Sequence, residues 1–233
     1  NRAGASGMIG AEVFKNTAPD NHTFLAATVG MLCITQHLQP VPYDADKDFI
    51  PVARTVTGWT GMAVHPSLPV NNVGEFVAYC KANPGKVNFG SPGQATLFHI
   101  LPEMLSVEAG IQMTHVPYKG SAPALQDLLA GQIQVQFDPS TLPPIADGRL
   151  KGLAVIGDKR WPGKPDLPTL AEQGYGKTGG DSWYGIVAIK ATPQPVVDAL
   201  SKAIDNALKS PEVVDKLANV QHFGSYLAPA DFS

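Results

Sequence analysis

Apolar residues recur along most of the chain at the spacing of an amphipathic helix or of a strand. The clearest helix covers residues 72–82, where four apolar residues follow the i, i+3, i+4, i+7 pattern: Val73, Phe76, Val77 and Cys80. Similar spacing predicts helices over residues 94–109, 121–130 and 192–208, and a shorter one from Ser210. Short apolar or β-branched runs predict strands over residues 23–28, 51–64, 86–90, 113–118, 133–138, 150–156 and 183–190.

Turn and cap residues separate these segments. Gly110 and Gly131 stand where two of the helices end, and Thr192-Pro193 is typical of an N-cap followed by the first helical residue. Residues 161–180 show no periodicity and are predicted to form a long loop. The alternation of strands and helices over about 100 residues favours an α/β fold with a mostly parallel sheet.

Length and composition narrow the class of protein. The 233 residues suffice for one large domain or two of modest size, and 44% of them are hydrophobic. The net charge of −3 argues against nucleic-acid binding, because a surface that binds a duplex usually makes its domain basic. No apolar run approaches the ~20 residues that cross a bilayer. With 23 Gly and 21 Pro the chain is rich in turns.

The chain has two cysteines, Cys33 and Cys80. They are too few for a disulfide framework or a four-cysteine zinc site. Cys80 lies on the apolar face of the first predicted helix and is expected to be a small buried side chain. A single disulfide between the two cysteines stays open.

Both ends of the sequence suggest a fragment. The chain starts at Asn1-Arg2 without an initiator Met or a signal-like apolar segment. It stops at Ala230-Asp231-Phe232-Ser233, which is typical of the beginning of another helix. We therefore expect a chain that is trimmed at both ends.

Glycines recur at positions 4, 7 and 10. A dinucleotide-binding fingerprint requires G-x-G-x-x-G after a strand and an acidic residue about 20 positions later, so this spacing does not fit. The glycines are expected to form a tight turn into a helix over residues 11–15.

Two enzymatic or metal-binding alternatives rest on scattered residues. Gly90-Ser91-Pro92-Gly93 does not match the G-x-S-x-G of a nucleophile elbow, although Ser91 with His99 or His115 and Asp138 could compose a hydrolase triad. The six histidines show no H-x-x-x-H spacing and none is near a cysteine pair, so no metal site is predicted.

The stretch 90–96 is the strongest candidate for binding. A strand runs there into a Gly-rich turn before a helix, which directs backbone N–H groups and the positive end of the helix dipole toward one place. Such a place binds a carboxylate or phosphate without a cationic side chain. Asp138 ends another predicted strand, where it either faces a ligand or caps the following helix.

Together, seven motifs in the same order resemble those of the extracytoplasmic receptors of tripartite tricarboxylate transporters, also called Bordetella uptake gene or TctC-like receptors. They are NRAGASGMIGAE at 1–12, PYDxxKDF at 42–49, HPSLP at 65–69, NPGK at 83–86, HVPYKGSAPAL at 115–125, LPT at 167–169 and SWYG at 182–185. Each motif alone is weak, but the series covers nearly the whole chain.

The resemblance implies a periplasmic solute-binding protein that is not an enzyme and uses no cofactor or metal. Its fold would be α/β in two lobes of the type II periplasmic binding class, with the ligand in the inter-lobe cleft. Lobe one would hold residues 1–61 and 187–233, and lobe two residues 62–186. Such a receptor acts as a monomer that delivers a small carboxylate to membrane permease subunits, without a role for nucleic acid.

The same resemblance predicts that the first strand of the family, and a Pro- and Gly-rich ligand loop behind it, precede Asn1. The signal peptide that directs relatives to the periplasm would also precede this chain. Binding by the chain alone is therefore in question.

Site residues follow from the resemblance by position. One side of the ligand site would consist of Thr28, Val29 and Gly30, after the first strand of this chain. The opposite side and the strand-end carboxylate would be supplied by Ser91, Gly93, Gln94, Ala95, Thr96 and Asp138. In the turns at these strand ends the cationic residue is Lys119, and we expect its role to be structural rather than ligand-binding.

Two departures from the family pattern affect the ligand. Leu97 and Phe98 stand where relatives usually carry small hydroxyl residues. If they face the cleft, they favour an aromatic or longer-chain carboxylate as the ligand; the alternative is that they face the core of the lobe. Pro102 would kink a helix that begins near Gln94, unless the helix begins near His99.

A hydrolase and a ligand-sensing module without a transport role remain the alternative functions.

Overall fold

The computed structural model describes residues 5–232. Its helices are α1 Met8–Lys15, α2 Thr35–Leu38, α3 Ala45–Asp48, α4 Val73–Ala82, α5 Leu97–Ala109, α6 Ser121–Leu129, α7 Leu142–Ala146, α8 Gln194–Leu208, α9 Pro211–Asn219 and α10 Pro229–Phe232. Its strands are β1 Leu25–Thr28, β2 Phe49–Gly58, β3 Thr60–Val64, β4 Asn88–Ser91, β5 Thr114–Pro117, β6 Val135–Asp138, β7 Lys151–Ile156, β8 Ser182–Ile189 and β9 His222–Leu227. Asn1 to Gly4, with the first glycine of the 4, 7, 10 series, and Ser233 lie outside the described residues.

The chain forms two compact units. The first contains the residues up to Gly58 and those from Ser182 onward, and the second contains Trp59–Asp181. The chain therefore passes from one unit to the other twice. The boundaries expected from the resemblance, 61/62 and 186/187, fall inside β3 and β8.

The sheet of the first unit has the order β1-β8-β2-β9, and every neighbouring pair is antiparallel. The prediction of a mostly parallel sheet is wrong here. The reason is where the chain leaves and returns: β2 ends at Gly58, β8 begins at Ser182, and these two residues are register partners. A strand that returns beside the end of its neighbour must run in the opposite direction.

The sheet of the second unit is mixed, with the order β5-β4-β6-β3-β7. β4 pairs in parallel with both β5 and β6, because helices α5 and α6 carry the chain back between these strands. β3 is antiparallel to β6 and to β7. The predicted single strand over residues 51–64 is thus two strands, which separate at Trp59 and join different sheets.

Each unit has its own apolar core. In the first unit one cluster gathers Phe14, Met31, Tyr43 and Phe49, with the two rings of Phe14 and Phe49 stacked at 5.7 Å. In the second unit the largest side chains are almost completely enclosed: Phe76, Phe89, Phe137, Met62, Leu101 and Leu105 are each below 2% exposed. The core of the second unit therefore encloses its large side chains more completely.

Local signals set most helix ends. Asn72 caps α4 by accepting a hydrogen bond from the Glu75 amide, and Ser210 caps α9, as the Ser-Pro pair predicted. The Thr192 prediction is wrong by one residue, because Pro193 is the N-cap of α8. Gly7, at φ +95°, precedes α1, which begins three residues before the predicted position 11.

Two expectations about side chains and helices have definite outcomes. Cys80 is fully buried, as predicted, while Cys33 is exposed. Both are free thiols, so the disulfide alternative is wrong. Among the described residues, no helix combines the length and apolar character required to cross a membrane.

Candidate functional site

The loop that follows β4 in the second unit is held by a hydrogen-bond network around Ser91. The Ser91 side chain is fully buried, and its Oγ donates to the carbonyl oxygen of Gly93 at 3.0 Å. The Thr96 Oγ1 donates to the same carbonyl at 2.8 Å. The Gly93 N–H returns a bond to Ser91 Oγ at 3.3 Å, so the loop is tied to the end of its own strand.

The backbone of this loop takes two conformations that most residues avoid. Gly93 has φ +149°, and Ala95 has φ +60°, the left-handed region in which a residue with a Cβ is strained. The N–H of Ala95 donates to Nδ1 of His99 at 3.2 Å. This contact with the first turn of α5 stabilises the unfavourable backbone.

Helix α5 begins at Leu97, with Thr96 as its N-cap. Both predicted starting points, Gln94 and His99, are therefore wrong by a few residues, because the left-handed Ala95 interrupts the helix. Pro102 lies inside α5, as the sequence requires, and its carbonyl accepts a hydrogen bond from Ser106 Oγ.

Leu97 and Phe98 lie at the start of α5, and both are buried, with exposed fractions of 7% and 9%. Their burial favours the prediction that they face the core. The aromatic or longer-chain carboxylate stays a prediction.

Three rings from three elements stack behind the loop. Phe89 on β4 lies 4.8 Å from His115 on β5, and His115 lies 4.0 Å from His99 on α5, between ring centroids. Burial, and to a smaller extent His99, lowers the pKa of His115 to about 4. Burial also lowers the pKa of His99, against the opposing effect of the Glu103 carboxylate. Both rings are therefore neutral at pH 7.

Asp138 ends β6 at the same edge of the sheet as Ser91. Because Gly90 of β4 is the parallel register partner of Gln136, the carboxyl ends of the two strands lie side by side. Asp138 is 1% exposed; its Oδ1 accepts from the Ser140 amide at 2.8 Å and its Oδ2 from Ser121 Oγ at 2.7 Å. It caps the short turn Pro139–Thr141, which is one of the two predicted alternatives.

The residues predicted for the other side of the ligand site belong to the first unit. Thr28 ends β1, and its Oγ1 accepts a hydrogen bond from the Met31 amide at 3.2 Å. Val29 and Gly30 lead into the π-helical turn Gly30–Ile34, where Thr35 Oγ1 donates to the buried carbonyl of Gly30 at 2.8 Å.

The predicted residues therefore form two groups. The second unit brings together Ser91, Gly93, Ala95 and Thr96 in one network, with Gln94 exposed at the tip of the loop and Asp138 on the adjoining strand. Thr28, Val29 and Gly30 compose the turn in the first unit.

Sequence reasoning missed the supporting role of His99, His115 and Ser121. One signal was present: His99 lies four residues after Ala95. The other contacts join distant parts of the chain.

The structure brings Ser91 Oγ within 2.6 Å of His115 Nε2, as the hydrolase alternative requires, but the rest of the geometry fits a hydrolase poorly. The Ser91 hydroxyl is enclosed and used to shape its own loop, and the Asp138 carboxylate oxygens accept from Ser121 and Ser140. A triad needs an exposed nucleophile and a carboxylate that orients the histidine.

Within residues 5–232, no three His, Cys, Asp or Glu side chains are grouped so as to hold a metal ion.

Comparison with known sequences identifies relatives over the whole length of the chain. The sequence model of the tripartite tricarboxylate transporter family receptor matches residues 1–228. The chain is 34% identical over 221 residues to the UPF0065 protein in the tcbD-tcbE intergenic region of Pseudomonas sp., covering 93% of this chain and 66% of that protein. It is 32% identical over 222 residues to BugT of Bordetella pertussis, covering 94% and 68%.

Solved structures agree. Rpa4515 of R. palustris with adipate superposes with a TM-score of 0.92 at 32% identity, over 100% of this chain and 79% of that chain. MatC of Rhodopseudomonas palustris with bound malate gives 0.85 at 27% identity, over 94% and 76%. The periplasmic binding protein BugD also gives 0.85, at 31% identity, over 96% and 76%. The fold is that of periplasmic binding proteins.

Proposed function

The chain belongs to the tripartite tricarboxylate transporter receptor family, and from that membership we propose that it captures a small dicarboxylate for uptake. The observation that carries the proposal is the likeness, over the whole chain, to Rpa4515 with adipate. MatC, with bound malate, adds a second relative with a dicarboxylate. The chain spans 66% of the first curated relative, so this is a proposal for the complete protein.

In this proposal one carboxylate of the ligand binds beside the loop of residues 91–96. The first N–H groups of a helix have no acceptor within the helix, and α5 begins directly after this loop. The helix dipole adds a positive potential there. A carboxylate would then be held by backbone amides and hydroxyl groups rather than by a lysine or arginine.

In the proposed site Asp138 acts through the groups that donate hydrogen bonds to it. A buried carboxylate beside an anionic ligand is unfavourable unless hydrogen-bond donors lie around it. Ser121 Oγ and the Ser140 amide are such donors. We assign Asp138 the role of orienting Ser121 and the turn after β6. The turn of Thr28, Val29 and Gly30 in the first unit is also proposed to contact the ligand.

The proposed setting is the periplasm, where the receptor acts as a monomer and passes its ligand to membrane permease subunits. The names of the matched family and of BugD support this setting. Deleting the gene should abolish uptake of the labelled dicarboxylate by cells. Uptake that persists unchanged would contradict the transport role.

Binding is tested by thermal unfolding of the complete product of the gene that encodes this chain. The panel contains adipate, malate, citrate and benzoate, with adipamide as the uncharged control of adipate's shape. A dicarboxylate at about 100 times its Kd should stabilise the folded state by about 2.7 kcal/mol, and adipamide should not. Equal shifts with adipamide, or none with any dicarboxylate, would overturn the proposal.

A further inference from the structure

Two histidines lie behind the loop of residues 91–96, and each contacts a different end of it. His115 reaches Ser91 at the start of the loop, and His99 reaches Ala95 near its end. We propose that His99 and His115 are positioning residues that hold this loop in the shape that binds the ligand. The inference rests on the proposed function, because it assigns how the same site is pre-organised.

The contact of His115 acts on the buried hydroxyl of Ser91. Ser91 Oγ lies 3.0 Å from the Gly93 carbonyl oxygen and accepts from the Gly93 N–H. His115 Nε2, 2.6 Å away, forms a further hydrogen bond with this hydroxyl, as donor or acceptor according to the tautomer of the ring. His115 thus fixes the direction of the hydroxyl that closes the loop.

The contact of His99 acts on the strained residue. Ala95 is 2% exposed and has φ +60°, so its N–H is shielded from water and needs an acceptor inside the protein. His99 Nδ1, at 3.2 Å, is that acceptor, which requires it to be free of a proton. Removing this acceptor takes a hydrogen bond away from a residue in an already unfavourable conformation.

Stacking makes the two contacts interdependent. The His99 and His115 rings lie 4.0 Å apart, and the Phe89 ring packs against both, at 4.8 Å from His115 and 6.1 Å from His99. The titratable group beside this pair is Glu103, whose carboxylate lies 3.8 Å from His99 Nε2. Moving one ring displaces the other, so both ends of the loop depend on the same stack.

The test compares shape with hydrogen bonding at each histidine. Phe replacements, His99→Phe and His115→Phe, keep a stacking ring but remove the hydrogen-bonding nitrogen. In His99→Asn the Oδ1 takes the place of Nδ1, and in His115→Gln the Nε2 takes the place of the ring Nε2. Kd values for the dicarboxylate that stabilises the wild-type protein most are measured by calorimetry at pH 7.5.

We expect each Phe variant to weaken binding by about tenfold or more, since a buried group loses its partner. The Asn and Gln variants should stay within about threefold of wild type. His65→Gln is the control, because His65 follows β3 at the opposite end of the sheet. There its backbone N–H donates to the carbonyl oxygen of Gln134. It should bind as wild type.

Outcomes separate this inference from the proposed function. If the wild-type protein binds no dicarboxylate, the proposed function fails. If the wild type binds and the Phe variants bind equally well, even with a lower Tm, the positioning role is overturned.

Hydrogen exchange of the ligand-free proteins keeps the inference testable if a Phe variant folds too weakly for calorimetry. Exchange at residues 91–96 should accelerate in the folded Phe variants and return to the wild-type rate in the Asn and Gln variants. Unchanged exchange at these residues would also overturn the inference.

Discussion

The turn after β1 and the loop after β4 both follow the end of a strand, but they are supported in different ways. In the first unit, Thr28, Gly30 and Thr35 stabilise the turn through hydrogen bonds between residues three to five positions apart. In the second unit, the loop depends on His115, which is 24 positions from Ser91 and on another strand. Both segments have local bonds, but the loop in the second unit adds one from another strand, which is in place only once the sheet has formed.

The cores of the two units also differ, in how completely their large side chains are enclosed. Phe76, Phe89 and Phe137 in the second unit are completely enclosed, while Phe14 and Phe49 in the first are 4% exposed. A loop that depends on distant contacts thus stands on the sheet whose large side chains are more fully enclosed. The comparison indicates that tertiary packing sets the shape of the loop after β4, whereas the turn after β1 tolerates more change around it.

The largest effect should come from emptying the cores. Phe76→Ala in the second unit should lower the free energy of unfolding by about 3–5 kcal/mol, because it leaves a cavity in a dry core. Phe14→Ala, in the shallower core of the first unit, should cost less. Hydrogen exchange resolved by peptide measures each: faster exchange should stay within Trp59–Asp181 for the first variant and outside it for the second. Equal acceleration in both units would contradict the contrast.

Removing one hydroxyl from each turn should have a smaller effect. Ser91→Ala should lower the free energy of unfolding by about 1–3 kcal/mol, since it removes a buried hydroxyl that hydrogen-bonds the Gly93 carbonyl and the half-buried His115 ring. Thr28→Ala removes one bond to an amide and should cost about 1 kcal/mol. Urea denaturation measures both.

Double-mutant cycles with His115 distinguish Ser91 from Thr28 more sharply than the single variants do. The costs of Ser91→Ala and His115→Phe should not add, because the two side chains share one contact. The costs of Thr28→Ala and His115→Phe should add. A coupling between Thr28 and His115 as large as that between Ser91 and His115 would refute the assignment of local support to the first turn.

Acid should act on the second unit through the stacked histidines. The pKa of His115 is about 4 in the folded protein, below the 6.5 of a free imidazole, so the unfolded chain binds a proton more readily. Stability from this group is fully present above pH 6.5 and is lost as the pH falls from 6.5 to about 4. Unfolding measured across this range should show a smaller decline in His115→Gln. Parallel declines in both proteins would contradict the role of His115.

The smallest effect is expected from a surface ion pair. Lys15 Nζ lies 2.9 Å from Asp48 Oδ2 in the first unit, with the lysine side chain 36% exposed. Lys15→Met should cost at most about 1 kcal/mol, and less in 1 M NaCl, because exposed charges are screened. A cost that is large and independent of salt would show that this unit relies on charge more than its core indicates.

Most helices were predictable because their signals are local. The apolar face of α4, the Ser-Pro start of α9 and the glycine after α5 all act within a few residues, and the structure places these helices within three residues of the predictions. Strand β9 was missed, since its short pattern becomes a strand only by pairing with β2. The division of residues 51–64 into two strands was also missed, because each half pairs with a different sheet.

The sequence by itself determined the α/β character, the positions of the longer helices, the burial of Cys80 and, through its ordered motifs, membership of the receptor family. Tertiary structure alone decided the strand directions, the left-handed conformation of Ala95 and the stack of His99 on His115. These features depend on which distant segments meet, and no local preference of a residue encodes that. The candidate ligand loop belongs to both: its glycine and hydroxyl residues were visible in the sequence, but the groups that hold its shape come from two other elements of the fold.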